Sequence, residues 1–115
     1  MLSSKRHDQA LQFALERLQQ ADLKPYIHAI YLYGSCARGM QKYTSDVDLF
    51  LFLKPDTPSR LIRVMKTEVN SGDYTLPEVE LKISLTDQFS ESKTFSGNIE
   101  RDAIKLWEQE KITSV

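Results

Sequence analysis

Two short segments carry the residues best suited to chemistry. Gly34-Ser35-Cys36-Ala37-Arg38-Gly39 is a turn of small residues, and Ser45-Asp46-Val47-Asp48-Leu49 follows it with a D-x-D pair. A strand that closes at Gly34 and a helix that opens at Ser35 leave unpaired backbone N–H groups, which attract phosphate. Gly34 lets the backbone come close to such an anion. The Ser35 hydroxyl can donate to it, and Arg38, one turn on, offers a planar fork of donors. Asp46 and Asp48 stand two apart on an expected strand and so share a face, with Cα atoms ~6.6–6.8 Å apart. Two metal ions ~3.5–4 Å apart fit beside such a pair. Without a cation, carboxylates ~5 Å apart repel by ~3 kcal/mol at an effective dielectric of ~20. All-oxygen donors suit Mg²⁺ or Mn²⁺ and not zinc. A polyphosphate turn beside metal-binding carboxylates reads as machinery for nucleotidyl transfer.

A two-metal site calls for a third carboxylate, and Glu80 is the choice. It faces away from Val79, Leu81 and Ile83, whereas Glu78, in the same phase, sits beside Pro77 at the strand's start. Each assignment has a plainer rival: a capped strand–turn–helix, solvated aspartates at a strand entrance, and a Glu80 paired on the surface with Lys82. The other polar and aromatic candidates read as structural. His28 is a core-edge residue, and His7 is solvated in the first turn of a helix. Lys5-Arg6-His7-Asp8 forms a wet helix end. Tyr31, Tyr33, Phe50, Phe52 and Trp107 belong to core or interface, and Cys36 is a spacer in the turn.

The elements that must position these residues follow from periodicity. Leu11, Ala14, Leu15 and Leu18 recur at helical spacing and predict a helix over 4–20, capped by Ser3 or Ser4 and stopped by Pro25. Residues 27–33 form a first strand, and a short helix runs from Ser35 to about Gln41. Val47–Leu53 is a second strand, apolar on both faces beyond its aspartates and therefore central. Thr57-Pro58 starts a helix with the stripe Leu61, Val64, Met65 and Val69, ended by Gly72. Residues 78–85 alternate as a third strand. Residues 88–100 read as a helix and 103–108 as a last strand. The sum is an α+β domain: a small mixed sheet with helices mainly on one face.

The length of 115 residues fits a single domain spanning 1–115. Basic and acidic residues number 15 and 16, a formal net charge of -1, with no basic stripe of the kind that tracks nucleic acid. One cysteine and no apolar run of membrane-spanning length lead to the expectation of a cytoplasmic protein away from membranes.

The run GSCARG…SDVDLFLFL resembles the minimal nucleotidyltransferases of the DNA polymerase beta superfamily, the antitoxin half of HEPN/MNT toxin–antitoxin pairs. The resemblance implies a polymerase-beta-like fold and transfer of a nucleoside monophosphate, usually AMP from ATP, to an acceptor hydroxyl. In HEPN-paired members that acceptor is a tyrosine of the toxin. Carried over, Gly34, Ser35, Arg38 and Ser45 would hold the nucleotide, and Asp46, Asp48 and Glu80 would be catalytic and would ligate two Mg²⁺ or Mn²⁺ ions. Glu80 departs from the pattern, since a V-D-L context reads V-E-L here. The rival classes are a non-catalytic antitoxin module, a subunit modifying a small-molecule hydroxyl, and a nucleic-acid end transferase.

Overall fold

A computed structural model describes residues 2, 4–85 and 101–109, and among these it has four strands and three α-helices of a turn or more. Helix α1 (Lys5–Leu18) is capped by Ser4 and buries Ala10, Leu11, Ala14 and Leu18 on one stripe. Pro25 lies in a 3₁₀ turn, Lys24–Tyr26, that leads into β1 (Ile27–Tyr33). Helix α2 (Gly34–Ala37) follows at once, then β2 (Val47–Leu53), α3 (Ser59–Glu68), β3 (Val79–Leu85) and β4 (Ile104–Glu108). The helix expected at 88–100 lies outside the described residues.

The strand order is β3-β2-β1-β4. β1 runs antiparallel to both β2 and β4, while β2 and β3 are parallel, so the sheet is mixed. β2 is central and buried along nearly its whole length, as its two apolar faces require. Val47, Leu49, Leu51 and Leu53 pack with Leu11, Leu18, Leu61 and Met65 beneath α1 and α3. Phe50 and Phe52 point the other way and cluster with Ala29, Tyr31 and Tyr33. Full burial of each such side chain contributes ~1.5–3 kcal/mol. The expected α+β architecture, with α1 and α3 on one face, is what the chain adopts.

Three local expectations are corrected. The helix after β1 stops at Ala37 instead of near Gln41. Gly39 takes φ +67°, its N–H donates to Cys36 O at 3.3 Å, and Met40 N donates to Ser35 O at 2.8 Å. That Schellman pattern closes a one-turn helix. Thr57 does not cap α3: its hydroxyl donates to Lys54 O at 2.6 Å, and the helix begins after Pro58 with no side-chain cap. Asp46 stands one residue before β2, so only Asp48 of the pair is a strand residue.

Candidate active site

The sheet register assembles the site. Tyr33, Asp48 and Glu80 are direct partners across β1, β2 and β3. Partners in one row project to the same face, here the face opposite α1 and α3. Alternation within β2 puts Asp48 in phase with Phe50 and Phe52. Apolar packing therefore dictates which way this carboxylate points. Asp46 precedes the strand, and its charge still acts on Asp48.

Gly34 adopts φ +73°, and a Cβ built there would lie 2.4 Å from Asp48 Oδ2. The turn and the carboxylate thus occupy one place, and only glycine fits between them. Burial, the Glu80 charge and the Asp46 charge push the Asp48 carboxyl up to about 6, with Lys82 opposing. Burial, then Asp48 and Glu80, push the Tyr33 phenol up to about 12. Burial, then Asp48 and Asp46, raise the Cys36 thiol. Three groups thus register the same concentration of negative charge.

The remaining site residues stand as follows. Ser35 is half-buried in the first turn of α2. Arg38 ends that helix, exposed, with a guanidinium nitrogen 3.9 Å from Asp102 Oδ2, a loose pair that leaves the side chain able to move. Ser45 is engaged in its own turn: its Oγ accepts from Lys42 N at 2.8 Å, and its N–H donates to Lys42 O at 2.9 Å. Glu80 is exposed beside Asp48. Glu78 is exposed too, and its carbonyl accepts from Val47 N at 2.9 Å, which starts the β2–β3 ladder.

Sequence reasoning passed over the roles of four residues. Tyr33 forms one flank of the site, its ring edge-on to Phe50 at 6.3 Å. The Lys82 ammonium lies 5.6 Å from the Tyr33 ring centroid. Tyr33 follows from extending the alternation of β1 to the row that holds Asp48, and Lys82 from extending that of β3 to the next row on the same face, where it partners Phe50. His7 is buried, not solvated, and its ring binds Ser45 O. No periodicity in the chain marks that contact. Arg6 likewise leaves the wet helix end it was assigned to and grips two loops.

A family model described as polymerase beta nucleotidyltransferase matches residues 16–112. The chain belongs to this polymerase beta nucleotidyltransferase family. No curated protein matches it significantly. A crystal structure of a candidate nucleotidyltransferase from Sulfolobus solfataricus is similar, with a TM-score of 0.58 and 21% identity over 96% of this chain and 95% of that one. That likeness extends the agreement in fold to nearly the whole length. Polymerase beta family domains act in nucleotidyl transfer and generally use divalent metals. Among the described residues no three ligands stand ready at coordinating geometry. The donor chemistry nonetheless fits a hard cation. Asp46, Asp48 and Glu80 supply carboxylate oxygens, and the raised Asp48 pKa records burial first and then repulsion from Glu80 and Asp46, which a cation would offset. Among the described residues, no helix is long and apolar enough to cross a membrane.

The raised pKa sets a pH dependence. Asp48 goes from 3.8 to about 6 on folding, so the folded state binds this proton more tightly. Its stabilising contribution is complete below the unfolded pKa and is lost as pH rises through the folded one. Asp8, Asp22 and Asp73, held low chiefly by hydrogen bonds, act in the opposite sense and lose stability on acidification. The informative quantity is therefore a difference between variants. In chelator, wild type should melt below Asp48→Asn at about pH 7, and the gap should narrow as pH falls towards about 4. Thermal melts across that range check it, and a pH-independent gap would contradict the assignment.

Proposed function

We propose that this domain transfers a nucleoside monophosphate, AMP from ATP, to a hydroxyl of a separate protein. The acceptor is a tyrosine of a HEPN-domain toxin, and the modification makes the domain an antitoxin. The observation that carries the reading is Asp48 packed against the Gly34 turn, within electrostatic reach of Glu80 and Asp46. The partner and its tyrosine rest on the resemblance of the motifs to HEPN-paired proteins.

In this reading Asp46 and Asp48 would hold divalent cations with Glu80 as third ligand. Such ions, when bound, neutralise the triphosphate and lower the barrier to displacement. The chain's own part is placement and charge. Backbone N–H groups at Gly34 and Ser35, the Ser35 hydroxyl and the Arg38 guanidinium face the triphosphate and orient it. Ser45 shapes the loop that presents Asp46. The acceptor oxygen forms a bond to the α-phosphorus, the bond to pyrophosphate breaks, and the acceptor proton leaves. Glu80 is exposed on β3, the most open of the three carboxylates, and takes that proton. Asp48, behind it against Gly34, stays on the nucleotide side.

The test incubates the protein with Mg²⁺ and α-labelled ATP, with and without a HEPN-domain protein. Label on a partner tyrosine supports the reading. Label on a small molecule assigns the domain to a different acceptor. Protection against the toxin without any labelling, and unchanged in an Asp46/Asp48 double variant, makes it a non-catalytic antidote.

A further inference from the structure

The first turn of α1 reaches away from its own helix, towards the loop that carries Asp46. His7 is 1% exposed, and both ring nitrogens are engaged. Nε2 lies 2.8 Å from Ser45 O and Nδ1 lies 2.8 Å from Ser4 Oγ. A carbonyl only accepts, so Nε2 carries the proton and Nδ1 accepts from the Ser4 hydroxyl. Ser4 Oγ also accepts the His7 backbone N–H at 3.4 Å, so the helix cap and the ring hold one another. Arg6 adds a second grip on the same side. Its Nε donates to Thr75 O at 2.7 Å, its Nη1 donates to Tyr43 O at 3.3 Å, and its guanidinium stacks 3.9 Å from the Tyr43 ring centroid.

We propose that His7 is a positioning residue for Asp46. Asp48 is oriented by the β2 ladder on both sides, whereas Asp46 stands outside it. The Ser45 carbonyl belongs to the peptide unit that leads directly into Asp46. Anchoring that carbonyl to a buried imidazole fixes the peptide plane, and with it the distance of the Asp46 carboxylate from Asp48 and Glu80. The contact spans 38 residues of sequence and ties the helix layer to the site. The inference rests on reading these carboxylates as a cation site.

Three variants test it: His7→Ala, His7→Asn and His7→Gln. A glutamine amide nitrogen falls near the place of Nε2 and keeps a donor for Ser45 O. An asparagine falls near Nδ1 and keeps only Ser4. The readouts are amide hydrogen exchange by NMR and the Mn²⁺ dissociation constant of the folded protein. In His7→Asn, exchange at 43–46 should rise roughly tenfold while β1 and β2 stay unchanged. Mn²⁺ binding should weaken roughly 10–100-fold in the same variant, and His7→Gln should restore both to within about threefold of wild type. If His7→Ala does not fold, the Asn and Gln pair decides. Wild-type exchange at 43–46 in His7→Asn, or a His7→Gln no better than His7→Asn, overturns the proposal. A wild-type protein that binds no Mn²⁺ refutes the cation reading by itself, and the exchange contrast still decides whether His7 holds the loop.

Discussion

Gly34→Ala should abolish transfer and destabilise the domain together. Two separate causes act at this position. The residue sits at φ +73°, which costs an L side chain ~1–2 kcal/mol. Its new Cβ would also lie 2.4 Å from Asp48 Oδ2, so the carboxylate must swing out of the site. The two causes can be separated. In an Asp48→Ala background the nearest remaining atom is Asp48 Cβ at 3.4 Å, so the clash disappears and the backbone cost stays. A double-mutant cycle should therefore show coupling, with Gly34→Ala costing less stability when Asp48 is already truncated. Equal costs in both backgrounds would remove the clash from the account. Gly39 is the control: its φ is also positive, but a Cβ there meets nothing within 4 Å, so Gly39→Ala should bear the backbone cost alone.

Asp48→Asn should uncouple activity from stability in opposite directions. Loss of the central carboxylate should lower transfer by at least ~10²–10³-fold, the scale of removing one group that stabilises transition-state charge. The metal-free variant should nevertheless melt higher than wild type at about pH 7, because Asp48 is ionised there against burial, Glu80 and Asp46. A shift from 3.8 to about 6 corresponds to at most about 3 kcal/mol, reduced by solvent screening at a partly open site. At roughly 4–8 °C per kcal/mol for a domain near this size, the gain is readily measured. Adding Mg²⁺ should raise the wild-type midpoint and leave the variant where it was. A less stable Asp48→Asn protein would mean that the carboxylate is a structural partner and not a strained ligand.

These two residues also show how far the sequence reaches. The placement of Asp48 was legible because Phe50 and Phe52 share its phase, and a strand apolar on both faces can only be central. The pairing of Asp48 with Glu80 follows from alternation on β3 once the two strands are neighbours. β4 was read as a strand from the alternation of Ile104 and Leu106 against Lys105 and Trp107; the strand is there, but a register shift opposite Ile30 and Tyr31 breaks that alternation and leaves Leu106 and Trp107 against the same core. What escaped was set by backbone groups, which leave no mark on residue identity. His7 looked solvated because its partner is a carbonyl far along the chain. The α2 helix looked longer because residue types do not show the Gly39 and Met40 N–H groups closing it at Ala37. Thr57 had the right type for a cap, yet the nearby Lys54 carbonyl claims its hydroxyl. Asp46 fell outside β2 because the ladder to β3 begins at Val47.

The central claim is that the carboxylates beside the Gly34 turn bind divalent cations together with a nucleoside triphosphate. Electron paramagnetic resonance of Mn²⁺, titrated with a non-hydrolysable ATP analogue, tests it most directly. The account predicts that wild type binds Mn²⁺, that the analogue tightens the binding, and that Asp46→Asn and Asp48→Asn each lose it while remaining folded. Wild-type Mn²⁺ binding in either variant, or none in wild type with the analogue present, would contradict it.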